Sequence, residues 1–401
     1  MENLKERALA YHEFPRPGKI SVQPTKPCAT ADELTLAYTP GVADAVMEVY
    51  RDPRNAYRYT NKGNLVAVIT NGTAVLGLGN VGALAGKPVM EGKAMLFKRF
   101  ADIDVFDIEV NTTDIQSFIE TVVNIAPTFG GINLEDIKAP ECFAIERELT
   151  ARLDIPVFHD DQHGSAVIIC AGLMNALEIQ GKRLEEVRIV FSGAGAAGSA
   201  TARLLKVMGA RHIVMTDIHG VLHTGRFDEN DLTGDLYVDT PYRTLSDAIV
   251  GADVFIGLSA AGVLKPEMLK MMGSDPVVFA LANPVPEILP DAAKAVRPEV
   301  LMATGRSDFP NQVNNSLCFP YIFRGALNAH ARRITQSMLV VAVKAIADLA
   351  KEPVPQSVLA AYGVKAMQFG QEYILPKQFD PRLLERIAPA VEKAWKDENP
   401  A

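Results

Sequence analysis

Apolar and polar positions alternate with two different periods along this chain, and the change of period predicts the elements. Val187–Phe191 is a short β-branched run that reads as a buried strand, and Ser199–Lys206 is an Ala/Leu helical pattern. Gly209 ends that helix, His212–Thr216 reads as a second strand, and Asp217 closes it. Further strand-like runs are Leu65–Thr70, the alternating Asp104–Val110, Ile155–His159, Asp253–Ser259, Pro276–Ala282 and Leu301–Gly305. Between them lie helical patterns at Asp114–Ile125, Ser165–Gln180, Tyr321–Ala331 and Thr335–Ala350. Strands that end in Ser, Asn or Gly and alternate with helices predict a doubly wound parallel sheet.

The remaining segments are assigned from local signals. Thr30–Ala37 and Val42–Tyr50 read as helices separated by Thr39-Pro40-Gly41. Asn71-Gly72 is a hairpin signal after the first strand. Met90–Phe100 reads as a helix starting near Glu91, which places Lys93 in its first turn. Gly220–Thr240 reads as a polar, irregular insertion, and Ala390–Lys396, just after Pro389, as a short last helix.

A chain of 401 residues is longer than one hydrophobic core usually serves, so more than one domain is expected. The division read from the pattern is an N-terminal α/β domain over 1–160, a Rossmann-like dinucleotide-binding domain over 161–325, and C-terminal helices over 326–401 that pack back on the first. A net charge of −8 argues against nucleic acid or an anionic membrane as partner. No apolar run reaches spanning length, the N-terminus carries no signal core, and the four cysteines are scattered. A cytoplasmic protein is the expectation.

Gly193-x-Gly195-x-x-Gly198 stands between the strand and the helix, the context in which such a triplet binds a dinucleotide. Gly193 serves the tight turn, Gly195 the approach of a pyrophosphate, and Gly198 the packing of helix on strand. With Ala194, Ala196 and Ala197 they form the phosphate-facing loop at a helix N-terminus. Asp217 follows about 20 residues later, where a carboxylate accepts from the ribose 2′-hydroxyl. A second triplet, Gly77, Gly79 and Gly82, leads into Gly86, Pro88 and Gly92, and reads as close-packing backbone at a domain interface.

Adjacent acids, Glu135-Asp136 and Asp160-Asp161, follow two strand-like runs. At strand C-termini they would converge beside the crevice and suit a hard cation, Mg²⁺ or Mn²⁺. A solvated turn is the alternative for Glu135-Asp136. His159 and His163 read as structural, because their spacing lies across what looks like a non-helical Asp-Asp pair. Lys93 in a first helical turn would face the positive dipole end, which lowers its pKa and makes it a candidate base; a solvated surface lysine is the other reading. Tyr38 at a helix–turn junction is either packing or an acid held rigidly in a cleft. Asn283 falls at a strand C-terminus, and Asn314-Asn315 precede a helix, where amides could read a small carboxylate.

Tyr38–Ala43, Gly92-Lys93, Asn133–Asp136, His159–Gly164, the Gly193 triplet, Ala282-Asn283-Pro284 and Asn311–Asn315 occur in the order seen in malic enzymes. The chain resembles the free-standing, short bacterial-type members over roughly Tyr38 to Arg324. The resemblance implies oxidative decarboxylation of malate to pyruvate and CO₂ with reduction of NAD(P), and an associated decarboxylation of oxaloacetate. It implies Lys93 as the base at the C2 hydroxyl, Tyr38 as the acid at C3 of enolpyruvate, and Asp160 as the residue that orients Lys93. Glu135, Asp136 and Asp161 would hold the cation, while Asn283, Asn314 and Asn315 would hold substrate carboxylate and cofactor. A homodimer is implied too, with Tyr38 and Lys93 contributed across subunits. NAD is favoured over NADP because Asp217 would repel a 2′-phosphate and Ile218-His219-Gly220 offers little to meet one. Two alternatives remain: a metal-free dehydrogenase of the amino-acid type, and a non-catalytic nucleotide-binding regulator.

Overall fold

The computed structural model describes residues 3–75, 77–228 and 231–400; Leu76 of the second glycine stretch and residues 229–230 of the polar insertion lie outside them. An N-terminal arm holds α1 (Leu4–Glu13), α2 (Ala31–Ala37), α3 (Val42–Arg51) and α4 (Ala56–Tyr59). Next come β1 (Leu65–Thr70), α5 (Ala83–Ala101), β2 (Asp104–Glu109), α6 (Ile115–Ile125), β3 (Gly131–Leu134), α7 (Glu141–Arg152) and β4 (Val157–His159). After α8 (Asp160–Ile179) follow β5 (Arg188–Ser192), α9 (Ala196–Met208), β6 (His212–Asp217), β7 (Gly220–Val221), α10 (Leu245–Ala248) and β8 (Val254–Gly257). Then α11 (Pro266–Lys270), β9 (Val277–Ala280), α12 (Pro290–Val296) and β10 (Leu301–Thr304) lead into α13 (Phe319–Asn328), α14 (Gln336–Leu349), α15 (Gln356–Ala361) and α16 (Arg382–Glu398).

Two parallel sheets result, as the alternation of strands and helices predicts. The first has the order β2-β1-β3-β4, the second β10-β9-β8-β5-β6-β7 with only β7 antiparallel. The central strands β1, β3, β8 and β9 are buried along their whole length, which is why β1, β8 and β9 read as apolar runs rather than alternating ones. Helix α8 is buried on nearly all sides and shares one apolar core with α13, α14 and α16, joining the two sheets. Smaller cores lie beside the four-stranded sheet and beside β8–β10.

Four local expectations are corrected. Asn71-Gly72 does not turn a hairpin, because both edges of β1 are taken by the parallel partners β2 and β3. Helix α5 starts at Ala83, not near Glu91, and passes through Pro88; Leu84, whose carbonyl loses its partner there, is exposed to water. The last helix begins at Arg382 and includes Pro389, with the corresponding carbonyl on exposed Glu385. Asp160 and Asp161 are helical, forming the first turn of α8, so His159 is its N-cap and His163 lies inside it. The second glycine stretch does lie against the nucleotide half: a Cβ on Gly77 would stand 3.0 Å from the Asn283 carbonyl oxygen.

The arm is different in kind. Helices α1 to α4 bury none of their residues, and Leu34, Leu36, Tyr38, Val42, Val46, Met47 and Tyr50 present apolar surface outward. The expected Thr30 helix is present with a complete capping box between Thr30 and Glu33.

Candidate active site

Glu135 and Asp136 sit directly after β3, and Asp160 and Asp161 directly after β4, its neighbour in the sheet. Parallel register therefore brings four carboxylates, two from the turn after β3 and two from the first turn of α8, to one edge. Ligand atoms of Glu135, Asp136 and Asp161 lie within 4.8 Å of one another. The backbone supports this grouping. Asp136 adopts φ 53, a left-handed conformation that a short polar residue tolerates, and its N–H donates to Asp161 Oδ2 at 2.8 Å. Asn133 Nδ2 donates to Glu135 Oε2 at 3.0 Å. An all-oxygen, largely buried, three-carboxylate donor set fits a hard divalent cation such as Mg²⁺ or Mn²⁺.

Lys93 is the cation of this cluster. Its Nζ pairs with Asp160 Oδ2, lies 3.1 Å from Glu135 Oε1 and 3.5 Å from Asn315 Oδ1, and sits 4.3 Å from the centre of the Phe319 ring. The lysine stands in the third turn of α5, so the predicted effect of a helix N-terminus does not reach it. Burial alone pushes its pKa down, but the carboxylates of Asp160, Glu135 and Asp161 outweigh this and hold the proton above the ordinary lysine range. Glu135 and Asp160 are pushed up by burial despite Lys93. Packing fixes the stem: Phe97, Phe158, Phe319 and Phe323 interlock with ring centroids 4.9 to 5.7 Å apart. Burying each such ring contributes about 1.5–3 kcal/mol. Gly164 is required beside them, since a Cβ there would stand 1.8 Å from Asp160 Oδ1.

Two supporting residues, Glu146 and Glu287, carried no sequence signal. Glu146 on α7 accepts from the His159 N–H at 3.0 Å and from Gln162 Nε2 at 3.1 Å, and pairs with His163 Nε2 at 2.8 Å. His163 is thereby held above its usual pKa against the opposing effect of burial. The fully buried His159 ring has Nδ1 3.9 Å from Asp161 Oδ2. Glu287 accepts from the N–H groups of Ser259 at 2.9 Å and Ala282 at 3.0 Å, tying together the C-terminal ends of β8 and β9. Only their partners in space identify Glu146 and Glu287.

The glycine triplet lies in the turn between β5 and α9. Gly193 has φ +112, and a Cβ on it would stand 2.4 Å from the Leu258 oxygen; one on Gly198 would stand 2.1 Å from the Gly193 oxygen. Gly195 faces open space, with Ala194, Ala196 and Ala197 around it at the start of α9. Asn283 is exposed beyond β9. Asn315 reaches Lys93, whereas the Asn314 side-chain oxygen accepts from Ser316 N at 2.9 Å and Ser316 Oγ at 2.6 Å, capping a 3₁₀ turn. Asp217 is bound by Arg226. Tyr38 stands apart, 69 % exposed at the end of α2.

Residues 17–116 and 111–150 match the malic enzyme N-terminal domain family, and residues 162–362 the malic enzyme NAD binding domain family. The NADP-dependent malic enzyme of Halomonas elongata is 59% identical over 98% of this chain and 94% of its own length. That of Escherichia coli is 58% identical over 98% of this chain, which spans only 52% of that relative. The crystal structure of an NAD-dependent malic enzyme from Thermotoga maritima superposes with a TM-score of 0.86 at 42% identity, covering 96% of this chain and 98% of that one.

Proposed function

The chain belongs to the malic enzyme family, and from that premise we propose that it oxidatively decarboxylates (S)-malate to pyruvate and CO₂ with reduction of NAD or NADP. The observation that carries the reading is Lys93 Nζ among the carboxylates of Glu135, Asp160 and Asp161, at the edge of one parallel sheet and joined through α8 to the nucleotide sheet. In this reading Lys93 takes the C2-hydroxyl proton at Nζ, and Asp160 orients the ammonium. Glu135, Asp136 and Asp161 hold Mg²⁺ or Mn²⁺, which when bound supplies Lewis-acid polarisation of the substrate's C2 oxygen. The glycine loop and the N-terminus of α9 hold the pyrophosphate, and Asp217 the adenosine ribose. Asn283 and Asn315 would hold substrate carboxylate and cofactor, while Asn314 shapes the turn that presents Asn315. Oxaloacetate decarboxylation would draw on the same carboxylates.

Tyr38 gives its phenolic proton to C3 of enolpyruvate. Its exposure, and the outward apolar faces of α2 and α3, support a homodimer in which the Tyr38 of one protomer meets the Lys93 of the other. Residues 1–160 then act as the substrate and metal domain, 161–325 as the nucleotide domain, and 326–401 as the helical brace. A reducing cytoplasm suits its four free cysteines; no described helix is long and apolar enough to cross a membrane.

Initial rates with malate, Mn²⁺ and either NAD or NADP test this reading. Turnover that a chelator abolishes is expected. Turnover that survives chelation would favour a metal-free dehydrogenase, and cofactor binding without turnover of any 2-hydroxy acid a regulator.

A further inference from the structure

We infer that Arg226 sets cofactor choice, by neutralising Asp217 and offering a partner to a 2′-phosphate, so that the adenosine end of the crevice takes NADP as well as NAD. The inference rests on the proposed binding of a dinucleotide over the Gly193 loop. Asp217 is the last residue of β6, beside that loop, because Gly193 N donates to the Thr216 oxygen at 2.8 Å. Standing alone, its carboxylate would repel a phosphate on the neighbouring ribose hydroxyl.

It does not stand alone. Arg226 grips it in a bidentate fork, Nη1 on Oδ1 at 3.0 Å and Nη2 on Oδ2. Nη1 also donates to the Gly220 and Val221 carbonyls at 3.2 and 3.1 Å, and the His219 N–H donates to Oδ1 at 2.7 Å. Neither side chain is sealed, with 24% of Arg226 and 27% of Asp217 open to solvent. The planar guanidinium fork that fits a carboxylate fits a phosphate equally well. A pair with no net charge thus occupies a position that the sequence gives as a bare acid.

The segment carrying Arg226 is anchored rather than loose. Val238 N donates to the Leu222 oxygen at 3.1 Å and Thr224 N to the Val238 oxygen at 3.0 Å, closing a loop around Arg226. From α9, Arg203 Nη2 bonds Asp235 Oδ1 at 2.6 Å and the Leu232 oxygen at 2.7 Å, and Lys206 Nζ bonds the Asp235 oxygen at 2.7 Å. The helix whose N-terminus faces the pyrophosphate therefore holds the far side of the insertion, fixing Arg226 relative to the ribose position. With NAD, Asp217 accepts from the 2′-hydroxyl while Arg226 stays on its other flank. With NADP, the fork shares its donors with the 2′-phosphate.

The test uses the full-length protein in two ways. Adenosine 2′,5′-bisphosphate and 5′-AMP are compared as competitors of the dinucleotide, and kcat/KM is measured with NADP and NAD for wild type, Arg226→Gln and Arg226→Lys. In wild type the bisphosphate should bind at least as tightly as 5′-AMP. Arg226→Gln should lower the NADP/NAD ratio of kcat/KM by about tenfold or more, the loss expected for one charge-assisted hydrogen bond, and Arg226→Lys should recover part of it. A smaller change, equal losses with both cofactors, or a wild-type protein that binds 5′-AMP more tightly overturns the inference. Should Arg226→Gln not fold, the wild-type comparison decides. Absence of malate turnover with either cofactor would instead strike the proposed reaction, and the competition readout does not depend on turnover.

Discussion

Adding a divalent cation should raise the thermal stability of this protein, and Asp161→Asn should abolish that rise. Glu135, Asp136 and Asp161 bring ligand oxygens within 4.8 Å of one another, and Lys93 Nζ lies 3.1 Å from Glu135 Oε1. Two like charges at that distance repel by about 3–4 kcal/mol at an effective dielectric of about 20, so the folded chain without its cation carries a repulsion that the unfolded chain escapes. A ligand of the folded state at about 100 times its Kd stabilises by about 2.7 kcal/mol. At about 2–4 °C per kcal/mol, somewhat less for a chain this long, Tm should rise by several degrees. Asp161→Asn removes one of the repelling charges while its amide oxygen can still accept from Asp136 N. The variant should therefore melt no lower than wild type in EDTA, yet gain little from Mn²⁺. Fluorescence-monitored melting of both proteins across a Mn²⁺ titration is the assay. A wild-type Tm that does not move between EDTA and saturating Mn²⁺, or an Asp161→Asn shift equal to that of wild type, would refute the assignment.

Lys93→Ala should abolish hydride transfer from malate in single-turnover absorbance at the nicotinamide band, while the cofactor still binds as judged by equilibrium titration. Tyr38→Phe should leave hydride transfer and lose protonation of the enol, seen as slowed exchange of the pyruvate methyl protons in deuterated buffer. If the two residues meet across subunits, refolding equal amounts of inactive Tyr38→Phe and Lys93→Ala chains should restore about a quarter of wild-type activity, because half the dimers then hold one intact site; no restoration would place both residues in one protomer. Glu109, pushed up to about 7 by burial and by neighbouring Asp107, bears on stability against pH. A carboxyl with a raised folded pKa favours the folded state below its unfolded value, and that benefit is lost as pH rises from about 4.5 through 7. Glu109→Gln should flatten the decline of Tm over that window; an unchanged decline would show that Lys87, which pairs with Asp107, already compensates the charge.

The parts legible in the sequence are those in which one residue type satisfies a local backbone need. Gly193 and Gly198 announce themselves because no side chain fits where they lie. The paired acids could be read because parallel strands deliver their C-terminal ends to one edge, whatever the rest of the chain does. The start of α5 was hidden for the opposite reason: Gly86, Pro88 and Gly92 look like helix breakers, yet packing of Met90, Ala94 and Phe97 into the core outweighs their cost. Pro389 misled in the same way. The role of the arm was also obscured, since the apolar positions of α2 and α3 face no surface of their own chain. Glu146, Arg226 and Glu287 act through partners between 5 and 28 residues away, at separations that no helix or strand period sets.

Lys93 shows how the cause read from a sequence can differ from the one that the fold supplies. A helix beginning at Glu91 would have given it a depressed pKa through the dipole, independent of everything else in the site. In the third turn of α5 no such field acts, and the carboxylates of Asp160, Glu135 and Asp161 bind its proton more tightly than water does. A lysine so placed is a poor base as long as those charges are uncompensated. Its basicity is therefore tied to the state of Glu135 and Asp161, two of the three residues of the proposed cation site. Compensation of their charge reaches Nζ across 3.1 Å from Glu135, whereas Asp160, which lies outside the three-residue donor set, keeps its hold and preserves the orientation of the amine. In the proposed mechanism cation binding and activation of the base are then one electrostatic event rather than two, acting through the three carboxylates that surround the lysine.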